Sequence, residues 1–123
     1  MGIAVPFREK FPKAYQFYQR QCAEKGYTLI GTSIICDEQE PAVGCLFTSR
    51  SYGKNKDNQD QIVEATDKAI KRFVGLLPHL GITEIHSPKI NAGLFAVPWE
   101  RTEAIIEQYL RENPELTWTV WEL

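Results

Sequence analysis

The pattern of apolar residues between Val43 and Trp121 runs strand, helix, strand, helix, strand, and that order limits the fold more than any other feature of the chain. Val43 to Ser49 is a compact apolar run. Ile62, Thr66, Ala69, Ile70, Phe73 and Leu77 then recur at intervals of three and four, which predicts an amphipathic helix over Asp60 to Leu77, ended by Pro78 and Gly81. Glu84 to Ile90 predicts a short strand. Ile105, Ile106, Tyr109 and Leu110 give the buried stripe of another helix, with Pro98 at its first position and Asn113-Pro114 at its stop. Thr117 to Trp121 predicts the closing strand. Helix after strand, twice over, is how right-handed crossovers join parallel strands. The fold class is α/β.

The first third of the chain adds a helical face and a hairpin. Phe7, Phe11, Ala14, Tyr15, Tyr18 and Cys22 repeat at helical spacing. Pro12 cannot donate a backbone hydrogen bond inside a helix, so a break is expected near Phe11, with Pro12 opening a helix over Lys13 to Ala23. Thr28 to Cys36 reads as a strand paired with Val43 to Ser49, and the polar stretch Asp37 to Pro41 turns between them. With 123 residues the chain holds one domain, 1–123, without linker or repeat.

Charge and cysteine usage exclude several classes. Fourteen basic against sixteen acidic residues give a net charge of -2, so no bulk positive field draws in nucleic acid. No apolar run approaches the roughly 18 residues of a membrane span, and no leader pattern opens the sequence. Neither a membrane partner nor secretion is expected, and the localisation predicted is intracellular, cytoplasmic or nuclear. Cys22, Cys36 and Cys45 are odd in number and lack CxxC spacing. That argues against a disulfide scaffold and a zinc site, and leaves reduced thiols as small core residues. No metal or cofactor is called for.

The segment from Ile90 to Trp99 carries the most chemical information. It is a small-residue turn leaving a strand and entering a helix, at the sheet edge where α/β proteins place ligands. Gly93 lets backbone approach a ligand closely, and the free N–H groups of the following helix favour phosphate oxygens. An ordinary strand-to-helix connection has the same pattern. The loop Arg50 to Lys56 leaves the other central strand at the same edge and supplies basic side chains. His79 reads as a surface residue and His86 as a satisfied strand histidine rather than a catalytic base. No GxSxG, Walker A, HExxH or GxGxxG motif occurs.

Several short motifs in fixed order carry a resemblance. Gly2-Ile3-Ala4, Phe11-Pro12-Lys13-Ala14, Cys45-Leu46-Phe47-Thr48-Ser49, Pro88 to Phe95, Val97-Pro98-Trp99-Glu100 and Thr119-Val120-Trp121-Glu122-Leu123 resemble the macro domain family along the whole chain. The similarity is to the branch of the ADP-ribose 1''-phosphate phosphatases and the terminal ADP-ribose protein glycohydrolase. It implies a three-layer α/β/α fold and a nucleotide-binding site for ADP-ribose or ADP-ribose 1''-phosphate. The ligand-binding residues it implies are Gly2, Ile3 and Ala4 in one phosphate loop, Ser49 at a strand end, and Asn91, Ala92, Gly93, Leu94, Phe95 and Ala96 in the other loop. Phe95 would lie beside the ribose. Where the glycohydrolase has a lysine and an aspartate, this chain has Ser49 and Phe95, as the phosphatases do; Ala92 and Ala96 replace family residues that are usually Ser and Gly.

The resemblance also implies a truncated, mixed sheet. The family's first two strands, its adenine-binding acidic residue and its catalytic Asn or His would precede Met1, so the catalytic residues are left unassigned. Three functions stay open: a phosphatase of the hydrolase class, a non-catalytic binding module, and an oligomerising fragment. The family's second strand would lie between Val43 to Ser49 and Glu84 to Ile90. With that seam open beside Ile34, Leu46 and Phe47, a homo-oligomer, most simply a two-fold dimer, is expected over a closed-up monomer.

Overall fold

The computed structural model describes residues 10–37, 41–48, 58–87, 89–90 and 97–121. Its first helix, α1 (Pro12–Lys25), starts where a proline has no N–H to lose, directly after Phe11, whose backbone is not helical (φ -129, ψ 65). The expected break at Phe11 is therefore present. The helix runs two residues past Ala23 and ends at Gly26.

The next segment departs from expectation. Thr28 does not begin a strand, because Gly26–Leu29 is a 3-10 turn. Two threonine hydroxyls explain the difference: Thr28 Oγ1 donates to Lys25 O and Thr32 Oγ1 to Leu29 O, both at 2.6 Å. Such back-bonding offers the chain a turn in place of a ladder. Strand β1 (Ser33–Cys36) begins only after it and pairs antiparallel with β2 (Val43–Leu46), with Ile34 opposite Cys45 and Ile35 opposite Gly44. Hydrogen bonds from Gly31 N to Phe47 O and from Phe47 N to Thr32 O lengthen the hairpin.

Helix α2 (Gln59–Leu80) organises the molecule. Asn58 caps it reciprocally: its side chain accepts from Gln61 N while its own N–H donates to Gln61 Oε1, each at 2.8 Å. Ile62, Ala65, Thr66, Ala69, Ile70, Phe73, Val74 and Leu77 are buried along one stripe. Pro78 does not end the helix, which continues to Leu80. The stop is Gly81, in the left-handed region at φ 67, with Gly81 N donating to Pro78 O and Ile82 N to Leu77 O. This paired closure satisfies the last carbonyls and seats Ile82 on Leu77.

Strand β3 (Glu84–Ser87) runs parallel to β4 (Thr117–Val120), in register Ile85 with Trp118 and His86 with Thr119. It ends at Ser87, short of Ile90, and Ser87 O still accepts from Trp121 N at 2.8 Å. Between them lies α3 (Trp99–Glu112). Pro98 is its cap rather than its first residue, since its ψ of 131 is extended. Asn113 ends the helix, its side chain donating to Tyr109 O at 2.8 Å.

Three layers follow from the alternation of side chains. On one face of the hairpin, Ile35 and Leu46 pack against Phe73 and Leu77 of α2. On the other face Phe47 stacks on Tyr18 of α1 with centroids 5.8 Å apart. Helix α3 packs beside α2 through Ile106, Ile70 and Val74. Arg101 reaches Asp60 at 3.0 Å and Tyr109 donates to Asp67 at 2.7 Å. Burial, then that carboxylate, pushes the Tyr109 phenol up to about 12. Leu116 and Trp118 dock the second ladder onto both clusters. The chain is thus a mixed α/β fold with a three-layer α/β/α arrangement. No helix among the described residues is long and apolar enough to cross a membrane.

Candidate functional site

The two ladders are not paired with each other among the described residues. Between them opens a cleft of about 480 Å³. Its floor is apolar, formed by Leu46, Phe73, Leu77, Ile85 and Trp118, and its polar positions are Thr48, Glu84, His86, Ser87 and Lys89. Gly44 keeps β2 close to α2 here: a Cβ at this position would lie 2.5 Å from Phe73 Cε1.

The residues predicted to bind ligand, namely Gly2, Ile3, Ala4, Ser49, Asn91, Ala92, Gly93, Leu94, Phe95 and Ala96, lie outside the described residues. So does the loop Arg50 to Lys56. Their chain neighbours are described. Thr48, which precedes Ser49, and Ile90, which precedes Asn91, both line the cleft. At the far end of the second segment Val97 is 2% exposed, a buried anchor at the entry to α3.

A cluster at the cleft's edge was not legible as a site. Glu84 and His86 share a face of β3, and Glu84 Oε1 lies 2.7 Å from His86 Nε2. The indole Nε1–H of Trp121 donates to His86 Nδ1 at 2.9 Å. Nδ1 is thereby an acceptor, which puts the imidazole proton on Nε2 and makes Nε2 the donor to Glu84. His86 is satisfied, as the sequence suggests, yet its side chain is 48% exposed. Its ring and the Trp121 indole lie 19° from parallel with centroids 5.9 Å apart. Because the connecting hydrogen bond lies in the ring planes, the rings sit side by side rather than one above the other, and Trp121 is 56% exposed. Glu84-x-His86 was readable as one strand face. Trp121, 35 positions away, joins it only through the parallel register.

The remaining candidates are structural. Cys22, Cys36 and Cys45 are free thiols. Burial, with Cys22 and Cys36 nearby, pushes the Cys45 thiol up to about 11, so at neutral pH it is a protonated packing group and a poor nucleophile. His79 is exposed. Among the described residues no group of three His, Cys, Asp or Glu could hold a metal ion.

Comparison with known proteins adds to this geometry. The family model described as Macro domain matches residues 1–106. A protein named ADP-ribose 1''-phosphate phosphatase from Scheffersomyces stipitis is 38% identical over 133 residues, covering 88% of this chain and 75% of its own length. A protein of the same name from Meyerozyma guilliermondii is 34% identical over 132 residues, with the same coverage. Among solved structures, the macrodomain of Mycobacterium tuberculosis DarG superposes with a TM-score of 0.80 at 17% identity, over 98% of this chain and 78% of that one. That last likeness concerns the fold alone.

Proposed function

Because the chain belongs to the macro domain family, we propose that it recognises ADP-ribose or an ADP-ribose derivative, with the 1''-phosphate as the form its relatives' names favour. The observation that carries the reading is the convergence of Thr48 and Ile90 on one cleft. Ser49 and Asn91 are one residue further on, so the two loops start from the same mouth. In this reading the backbone N–H groups of residues 91–96 cradle the phosphates at the start of α3, where the helix dipole adds to them. Ser49 and the segment Gly2, Ile3 and Ala4 complete the ligand's surroundings, and Phe95 lies beside a ribose. The exposed Trp121 indole, beside the cleft, offers a purine a face to stack on.

A second reading is a binding module without turnover. Two observations favour it: both nitrogens of His86 are engaged, and the Cys45 thiol holds its proton. Hydrolysis of a phosphate monoester needs a water oxygen to attack phosphorus and a proton for the departing ribose oxygen. Among the described residues neither group is poised to assist.

Calorimetry with ADP-ribose, alongside a phosphate-release assay on ADP-ribose 1''-phosphate, tests both readings. Binding that falls about tenfold, or 1.4 kcal/mol, in Gly93→Val supports the loop assignment. Binding without phosphate release favours the module. No heat at ligand concentrations of hundreds of micromolar overturns the recognition reading, and unchanged affinity in Gly93→Val removes residues 91–96 from the site.

A further inference from the structure

An exposed tryptophan ordinarily samples several rotamers, and a base that stacks on it must first freeze one of them. Trp121 stands just past the last residue of β4, 56% exposed. Its backbone is tied to β3 by Trp121 N donating to Ser87 O at 2.8 Å. Its indole is tied separately, through Nε1–H to His86 Nδ1 at 2.9 Å. His86 is tied in turn by Glu84 at 2.7 Å. The indoles of Trp99 and Trp118 donate to oxygen, on Glu103 and Ser87. Trp121 alone among the three donates to a nitrogen.

We propose that His86, held by Glu84, is a positioning residue that fixes the plane of the Trp121 indole for a planar base to stack on. The order of the bonds gives the relay its direction. A carboxylate accepting from Nε2–H selects the tautomer that leaves the Nδ1 lone pair for the indole. The hydrogen bond then sets the indole in the imidazole plane, 19° from parallel. The two rings present one nearly flat surface with a single orientation, and the cost of ordering Trp121 is met by the fold before ligand arrives. That lost rotamer freedom is of the order of 1 kcal/mol for an immobilised side chain, which corresponds to about fivefold in affinity. The role given to Trp121 rests on the reading of the cleft as an ADP-ribose site, while the ordering of its side chain does not.

Two measurements separate those layers. The first is made on the free protein: the indole N–H resonances of wild type, His86→Ala, His86→Gln and Trp121→Phe are compared, the last identifying the Trp121 signal. The Trp121 N–H is expected to exchange slowly in wild type, to exchange fast in His86→Ala, and to recover part of its protection in His86→Gln, whose amide oxygen can accept. Equal exchange in wild type and His86→Ala overturns the proposal whether or not any ligand binds. The second is calorimetry with ADP-ribose and with ribose 5-phosphate, which lacks the base. His86→Ala is expected to weaken ADP-ribose about fivefold, to leave ribose 5-phosphate unchanged, and to have no further effect in a Trp121→Phe background. Equal losses for both ligands, or the same loss with and without the indole N–H, overturn it. Failure of wild type to bind ADP-ribose counts against the functional reading, and the exchange result then decides the positioning role alone.

Discussion

Gly44→Ala probes whether the ring of Phe73 is locked against the hairpin. The added Cβ would lie 2.5 Å from Phe73 Cε1 and 3.3 Å from Cδ1 and Cζ, against a comfortable carbon separation of about 3.5 to 4.0 Å. The ring must retreat by roughly 1 Å. Phe73 is 9% exposed and meets the edge of Trp118 at 5.9 Å and 66°, so retreat displaces Trp118 and its bond to Ser87 Oγ at 2.8 Å. Overpacking of this kind costs about 1 to 3 kcal/mol. For a chain of this size about 1 kcal/mol moves Tm by roughly 4 °C, so a fall of about 4 to 12 °C is expected by calorimetry or circular dichroism. Phe73→Leu in the same chain relieves the clash, so the double variant should be more stable than the sum of the two single losses predicts. A Gly44→Ala protein melting within 2 °C of wild type would refute the reasoning: the ring would then be free to swing into the cleft.

Thr102 is fully buried on α3, and its Oγ1 has no hydrogen-bond partner among the described residues. Thr102→Val is therefore expected to stabilise by about 1 kcal/mol, read as a rise in Tm; a loss of stability would mean the hydroxyl is satisfied. Cys45 binds its proton more tightly when folded, about 11 against 9.0, so its contribution is whole below pH 9 and disappears as pH rises toward 11. The shift corresponds to about 2 to 3 kcal/mol. Urea unfolding of wild type and Cys45→Ala from pH 8 to 11 should show a shallower decline in the variant, and equal slopes would contradict it. Sedimentation at micromolar concentration is expected to give a two-fold dimer, with a cooperatively melting monomer as the contrary result.

The helices were the most legible elements because their signal is repeated many times over. Eight buried positions on α2 share one stripe, and no single residue decides the assignment. The strands were readable in place but not in length, since each observed strand holds only four residues. At that length the ends are set by individual groups, as the hydroxyls of Thr28 and Thr32 set one end of β1. The reciprocal cap at Asn58 and Gln61 was visible in the sequence as an Asn followed three residues later by a Gln, but a start at Asp60 overlooked it. The pairing of His86 with Trp121 had no local signature, because it depends on which residue of β4 lies opposite which residue of β3.

Four-residue strands in two-stranded ladders have little stability of their own. The described packing shows what compensates. Helix α2 supplies Phe73 and Leu77 to Ile35 and Leu46 of the first ladder and to Ile85 and Trp118 of the second. The same side chains form the floor of the cleft. The surface that holds the ladders together is thus also the surface a ligand or a further strand would meet on entering the cleft. Apolar groups with water on one side lose part of their contacts, so whatever fills the cleft gains by packing against Leu46, Phe73 and Trp118. The phosphate-binding chemistry attributed to residues 91–96 needs no such filling. Under the proposed assignment, affinity for the phosphates and closure of the cleft are therefore separable: a change at Gly93 is expected to act on the first, and a change at Gly44 or Phe73 on the second.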